Sequence, residues 1–518
     1  MDLGVENFNP FHPYLEIHQI HSRNQDSRNM ALEIAPGIRE KMLDLLVPTK
    51  KEIELQKRII EQLCRLLRNR ADILDVNYAF IEPQGSTGKK QTQLRYDADI
   101  DLFVGLDTSD YEETLALDSD KRDRKLGRTL DRLVDTWFQP VLEEVSAEQI
   151  QKAYSQHPYL TGEIDGVDID IVFCFDLSRQ EIMESGPITA VDRTPHHTNY
   201  VAQKLDDKLR QDVRIFKSFV KAGYGYGDKC AIGRMGITGF TIEVLSIFSG
   251  GLIPAIVRFL NLRDMPLDPE NRTLEELMKI EGFQDDHLII IDPTDTNRNA
   301  ASSFDSRTVK WTNLRIEKLL GDIKEEDSAA IIKQVIEKPI PVSAPPSRIE
   351  NHAHVSEFKS DENVHYTILR DKLYSLGNKL QYLLEKERTG EKRFGRALFE
   401  VYFEEPIYSI AFLVESPNIS KKYERRGPPI HLSEAVRNFK ESHDRIIEKD
   451  GYVWTIEERE WTNASNLIDS SISEKMPEEL RRLPEIGDVS RKNLNVLHKY
   501  ILQIETNFTL DDAEESNE

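Results

Sequence analysis

The chain has 518 residues, of which 39% are hydrophobic and 31% charged, and its formal net charge is -23. That length exceeds what one hydrophobic core spans and points to roughly two to four domains. No stretch approaches the ~18 apolar residues of a membrane span. The acidic balance argues against a chain that coats nucleic acid indiscriminately, while leaving local basic patches free to follow a phosphate backbone. Cys64, Cys174 and Cys230 lie far apart, giving neither a disulfide framework nor a zinc pattern, and a reducing cytoplasm is the expected location.

The first thirty residues, "MDLGVENFNPFHPYLEIHQIHSRNQDSRNM", lack the basic and apolar regions of a signal peptide. They read as an irregular extension, 1–30, ahead of a domain beginning at Ala31. "KKEIELQKRIIEQLCRLLRNR" (50–70) is a charged amphipathic helix, followed by a strand-like "VNYAFIEP". A small-residue turn, "GSTGKK" (85–90), and a second strand, "ADIDLFVGL", come next. A helical segment, "DRKLGRTLDRLVDTWFQPVLEEV", leads to "GVDIDIVFCF" (166–175), whose β-branched residues and period-two alternation predict another strand. Alternating helices and strands up to about residue 200 make this part α/β or α+β.

From about 201 the pattern becomes helical. "DDKLRQDVRIFKSFVKAGYG" puts Leu209, Val213, Phe216 and Val220 on one face, with Gly223 as a stop. "GITGFTIEVLSIFSGG" (236–251) is apolar enough for a buried helix. The Pro-rich, polar stretch 337–363 reads as a linker or long loop. After it come a helix ("LRDKLYSLGNKLQYLLEKE"), the strands "RALFEVYFEE", "YSIAFLVES" and "GYVWTIEERE", and a solvated acidic tail, 511–518.

The chemistry concentrates in two D-x-D strands. Period-two spacing places Asp97, Asp99 and Asp101 on one strand face, with Ala98, Ile100 and Leu102 on the other. Asp168 and Asp170 repeat the arrangement. A lone D-x-D is usually a solvated strand face. Two of them on neighbouring strands would converge carboxylates that repel unless a cation sits among them, as two-metal phosphoryl and nucleotidyl transfer requires. Mg²⁺, which takes oxygen ligands and keeps some water, suits such a set. The turn adds the complement: Gly85 and Ser86 let backbone N–H groups approach a polyphosphate, and Lys89 supplies a counter-charge.

The order "GS", "DADID", "GVDIDIV" resembles the nucleotidyltransferase superfamily related to DNA polymerase β. "AVDRTPHHT" (190–198), "VRIFKSFVKAGYGYG" (213–227), "GITGFTIEVL" (236–245), "IIIDPTDTNRNAASSF" (289–304), "RRGPPIHLSEAVRNF" (425–439) and "GYVWTIEEREWTN" (451–463) resemble, in order, blocks of the archaeal-type, class I CCA-adding tRNA nucleotidyltransferases. The similarity runs from about residue 31 to 470. It implies an α+β multidomain protein: a polymerase β-like head with a mixed sheet (31–200), a mainly helical central domain that binds nucleotide and RNA (201–335), and an α+β C-terminal tRNA-binding body and tail (336–510).

The resemblance further implies CCA addition to the 3′ end of tRNA from CTP and ATP, with Mg²⁺ as cofactor and pyrophosphate released. Asp99, Asp101 and Asp170 would be the catalytic, metal-holding acids, with Asp170 the general-base candidate, and Asp97 and Asp168 would support them. Gly85, Ser86 and Lys89 would bind the triphosphate, Lys89 standing where the family has Arg and so losing the bidentate fork. Thr194 and His197 would contact sugar and phosphates, Lys217 and Tyr226 the triphosphate, and Arg298 the incoming base. His196 reads as a structural hydrogen-bonder, and a helix-cap salt bridge is the alternative role for Arg298.

The acceptor stem and TΨC arm of tRNA would meet two basic runs. One holds Lys386, Arg388, Lys392, Arg393 and Arg396, the other Lys421, Lys422, Arg425 and Arg426. The alternatives are another template-independent nucleotidyltransferase, such as a poly(A) polymerase or oligoadenylate synthase, and a non-catalytic RNA-binding relative. Nothing implies a membrane partner, and a homodimer is left open.

Overall fold

The computed structural model describes residues 32–97, 99–154, 157–360 and 364–510; the N-terminal extension and the acidic tail read from the sequence lie outside them. Helix α1 (Pro36–Leu46) is followed by α2 (Lys50–Leu74), which opens on a Thr49/Glu52 capping box. The head is built on a five-stranded mixed sheet of β1 (Phe80–Pro83), β2 (Ile100–Leu106), β3 (Glu148–Tyr154), β4 (Pro158–Ile164) and β5 (Val167–Phe175), in the order β1-β2-β5-β4-β3. Only β2 and β5 run parallel; the other neighbours are antiparallel. Helices α2, α3 (Ser119–Leu133) and α4 (Gln139–Glu144) cover one sheet face, where Leu63, Leu67, Leu130 and Trp137 meet Leu102, Val104, Ile169 and Ile171.

A second core gathers α6 (Asp207–Ala222), α7 (Gly239–Ser249), α8 (Leu252–Phe259) and α9 (Ser306–Lys324). It also takes in Ile38 and Met42 of α1 and Val201 of α5 (Thr194–Lys204). The cores therefore do not divide where the alternating pattern stops at residue 200: α1, early in sequence, packs with the central helices because its apolar face has no place on the covered sheet. A short hairpin, β6 (Ile291–Asp292) and β7 (Asp295–Asn299), hangs from this unit.

The stretch 337–363, read as a linker, includes β8 (Ala353–Ser360), a central strand of the four-stranded antiparallel sheet β14-β8-β10-β9. Its partners are β10 (Ile407–Val414) and β14 (Leu480–Arg482); β9 (Ala397–Glu404) pairs with β10. Polar residues hid this strand from a periodicity reading, since Ser356, Glu357 and Ser360 are themselves buried. Helices α11 (Tyr366–Glu385) and α13 (Ala464–Lys475) pack on one side of the sheet and α14 (Asp488–Val496) on the other; α10 (Ser328–Val335) precedes all of these in the central unit. An outlying three-stranded sheet, β11 (Lys422–Pro429), β13 (Tyr452–Glu458) and β12 (Ile446–Lys449), carries α12 (Ser433–Ser442), which buries no side chain. Among the described residues no single helix is long and apolar enough to cross a membrane.

Candidate active site

Parallel pairing of β2 with β5 sets Asp101 directly opposite Asp170. Alternation sends Leu102, Val104, Ile169 and Ile171 into the helix-covered core, so the two acids face the other way. The strand begins at Ile100, so Asp97 and Asp99 do not share it with Asp101 as the spacing had suggested. Asp97 sits in a bridge with Leu94 and is ion-paired with Lys221. Asp99 lies on the approach to the strand, where its carbonyl accepts a hydrogen bond from Thr87 Oγ1 at 2.8 Å.

Burial raises the carboxyl groups of all three acids, and their mutual repulsion adds to it. Asp101 is pushed well above the usual range by burial, then by Asp99 and Asp170, and Asp170 is pushed up to about 7 by burial, then by Asp99 and Asp168. Asp99 is raised by burial, opposed in part by Lys217.

The turn before these acids is fixed to them. Gln84 N–H donates to the Asp101 carbonyl at 2.8 Å. Gly85 adopts φ 58°, and a Cβ there would stand 1.8 Å from Asp101 Oδ2. Glycine is thus required twice over, for backbone conformation and for space. Lys89 is half-exposed and spans Glu82 Oε2 at 2.8 Å and Asn199 Oδ1 at 3.5 Å. The buried cation of the turn is its neighbour Lys90, which pairs with Glu243 at 3.0 Å.

Glu243, on α7, also accepts from Lys217 Nζ at 2.7 Å and Thr92 Oγ1 at 2.6 Å. Burial opposes its ionisation, but the two ammonium groups win and hold its carboxyl down to about 2. Two lysines share one carboxylate, leaving a positive surplus that Lys217 directs at Asp99 and Lys90 at Asp101. Tyr226, half-buried, stands beside the same group; a Cβ added to Gly239 would fall 2.7 Å from its hydroxyl and 3.2 Å from Lys217 Nζ.

These elements open onto a cleft of about 870 Å³. Ser86, Asp99 and Asp170 line it from the head, Lys217 and Tyr226 from the central unit, and His365, Tyr366 and Lys492 from the C-terminal unit. Of the residues expected from the sequence to bind nucleotide, Gly85, Lys89, Thr194, His197 and Arg298 stand apart from that lining. Thr194 opens α5. His197 Nε2 lies 2.7 Å from Asp292 Oδ2 and its ring stacks on Phe240 at 3.8 Å, while Arg298 donates to the same Asp292 oxygen at 3.0 Å. Asp292 is fully buried, which opposes its ionisation, but His197 and then Thr294 hold its carboxyl far below the usual range, while burial lowers His197. Arg193 pairs with Asp295 at 2.7 Å, so the β6–β7 hairpin is tied to α5 at two points. His196 lies 2.8 Å from the Leu177 carbonyl.

In the C-terminal unit, Arg393 is 7% exposed and paired with Glu387, so its guanidinium is taken up internally. Arg396 reaches Glu505 at 3.3 Å and Arg425 reaches Glu457 at 2.5 Å. Arg426 lies over Tyr452 at 4.9 Å, and Lys392 is exposed.

Sequence reading did not single out Lys90, Thr92, Glu243 or Asp292. Glu243 had a signal: it is the lone charge in the apolar run "GFTIEVLSIF", and a buried charge requires a partner. Asp292 closes another apolar run, "HLIIID".

In the arrangement described, no three His, Cys, Asp or Glu side chains stand close enough to enclose an ion among the described residues. The donor chemistry nevertheless fits a hard divalent cation. Asp99, which is exposed, and the half-buried Asp101 and Asp170 are neighbouring oxygen donors that raise one another's carboxyl groups, a repulsion that a dication would relieve.

Residues 211–326 match the model of the tRNA nucleotidyltransferase second domain. A CCA-adding enzyme of Saccharolobus islandicus (strain M.14.25 / Kamchatka #1) is 27% identical over 440 residues, covering 84% of this chain and 92% of that protein. A CCA-adding enzyme of Sulfurisphaera tokodaii is 28% identical over 459 residues, 87% of this chain and 96% of the relative. Among solved structures, E. coli MS115-1 CdnC with ATP superposes over 58% of this chain and 97% of its own, with TM-score 0.43 and 17% identity. The RNA terminal uridylyl transferase Cid1 covers 59% of this chain and 98% of its own, with TM-score 0.41 and 14% identity. Over 84% of its length, in one continuous order, the chain is similar to the CCA-adding enzymes of these archaea.

Proposed function

We propose that this protein adds CMP, CMP and AMP to the 3′ end of tRNA from CTP and ATP without a template, releasing pyrophosphate. The observation that carries the reading is the register of β2 and β5, which sets Asp101 against Asp170 beside a cleft lined by Asp170 and, from the central unit, by the buried Lys217. Asp99, Asp101 and Asp170 would hold the divalent cations, Mg²⁺ in this reading, whose charge favours the alkoxide form of the terminal ribose hydroxyl and neutralises the triphosphate. The remaining work is positioning and charge complementarity by the chain itself. Backbone N–H groups of the Gly85–Ser86 turn face the triphosphate, with Lys217 and Tyr226 on the opposite side. Asp170, set directly opposite Asp101, is the candidate to accept the ribose proton.

Base selection falls to Arg298, whose guanidinium is steadied by Asp292. The RNA end enters between the head and the C-terminal unit, where Lys229, Lys338 and Lys492 rim the cleft. The exposed cations of the second basic run, with Lys392, take the acceptor stem and TΨC arm, read by backbone and shape as A-form RNA is.

The test is incubation of the protein with Mg²⁺, labelled CTP or ATP, and tRNAs ending before, within or after CCA. Ordered C, C, A incorporation that disappears in Asp101→Asn is the expected result. Long A-tracts, or no incorporation by the unaltered chain, would overturn the reading.

A further inference from the structure

Helix α3 carries Lys121, Arg124, Lys125, Arg128 and Arg132, all exposed. At about 100° per residue they fall within about 60° either side of one line along the helix. Leu126, Leu130 and Leu133 take the opposite side and are buried in the head core. The cations line a shallow groove of about 540 Å³ together with Leu117 and Thr129.

The carboxylates of the same helix do not neutralise this row. Asp131 is turned to Lys152 at 2.9 Å and Tyr154 at 3.0 Å, and Asp123 pairs with Arg122. Lys121 reaches Asp118 at 2.8 Å; among the described residues no carboxylate ion-pairs with Arg124, Lys125, Arg128 or Arg132. Like charges three and four residues apart destabilise a helix. The row is therefore a local cost, kept in a chain whose net charge is -23.

We propose that this face of α3 is a second RNA-binding surface, which grips the phosphate backbone of the substrate RNA at a point remote from its reacting 3′ end. The proposal rests on the reading of the protein as a tRNA-modifying enzyme. The chemistry selects a polyanion with regularly spaced phosphates. The row is about 16 Å long at 1.5 Å per residue, and its guanidinium groups suit phosphate oxygens. A protein partner fits less well, because Leu117 is the groove's lone large apolar side chain and no aromatic lines it.

Its place in the fold sets the remoteness. The helix layer covers the sheet face opposite Asp101 and Asp170, so phosphates seated here cannot be those at the reacting end. Only an RNA body large enough to reach around the head touches both.

The experiment compares the full chain with a K125E/R128E variant and its neutral counterpart K125Q/R128Q. The equilibrium dissociation constant of a full-length tRNA lacking CCA, and of a minihelix of its acceptor stem and TΨC arm, is measured by fluorescence anisotropy at several salt concentrations. Labelled CTP incorporation into the minihelix is followed in parallel. The expected result is a tRNA Kd raised about tenfold by the charge reversal, with the slope of log Kd against log salt reduced by roughly 1.5 for two lost phosphate contacts. The neutral variant falls between, and minihelix binding and CTP incorporation stay unchanged.

An unchanged tRNA Kd and slope would overturn the proposal, as would an equal loss on the minihelix, or a loss confined to binding of poly-glutamate, which would assign the face to an acidic protein. If the unaltered chain binds tRNA but incorporates no CTP, the enzymatic reading fails, while the Kd comparison still decides the surface.

Discussion

Replacing Glu243 with Gln should expose how much the buried cations depend on one carboxylate. The side chain accepts from Lys217 at 2.7 Å, pairs with Lys90 at 3.0 Å, and is 1% exposed. The substitution keeps shape and one hydrogen-bond acceptor while leaving two ammonium groups buried without a counter-charge. Breaking a buried pair from one side costs about 3–5 kcal/mol. An independent route agrees: a carboxyl held at about 2 against an ordinary 4.5 corresponds to about 3 kcal/mol of linked stability. The calorimetric transition of the unit containing α7 should therefore fall by roughly 10 °C at pH 7.

The pH dependence has a definite sign. A carboxyl depressed in the folded state stabilises above its unfolded value and loses that contribution as pH falls towards the folded one. The gap between wild type and E243Q should thus be widest above about pH 5 and close between pH 4.5 and 2.5. A gap below ~1 kcal/mol at pH 7, or one that widens on acidification, would refute the reasoning.

Gly85→Ala should reduce nucleotide incorporation by at least about 100-fold with little change in overall folding, because the added methyl would meet Asp101 Oδ2; steady-state kinetics alongside circular dichroism checks it. Asp292→Asn should raise the KM for CTP and ATP several-fold and increase misincorporation of UTP, since the acceptor shared by Arg298 and His197 loses its charge; unchanged base selectivity would detach this cluster from nucleotide recognition. Charge reversal of Arg425 and Arg426 should raise the KM for tRNA while sparing nucleotide binding, measured with tRNA and nucleotide varied separately. Lys217→Met should weaken triphosphate binding by about 10-fold or more, read by nucleotide titration, and should disturb stability less when combined with E243Q than either change alone.

The elements that carry chemistry were legible where sequence spacing and three-dimensional register coincide. Asp101 and the second "DID" sit on adjacent parallel strands, so there the alternation survives folding and Asp101 meets Asp170. Asp97 misled because period two was extended past the strand end; the backbone turns at Tyr96, with φ 60°, before the strand begins. Contacts made by residues distant in the chain left little trace. Lys90 and Glu243 are 153 positions apart; Glu243 stands out as a lone charge in an apolar run, but only the fold pairs it with Lys90. The strand Ala353–Ser360 was hidden for the opposite reason, because its buried polar side chains find partners such as Gly487 and Ser490, supplied more than a hundred residues later.

The contact between Gly85 and the Asp101 carboxylate ties the history of two positions together. Any side chain at 85 must displace the acid, and any longer acid at 101 must invade the turn. Neither can be revised by single steps without loss of the other. The two positions are therefore expected to change only as a pair, and their joint retention or loss in a relative would mark whether nucleotidyl transfer has been kept.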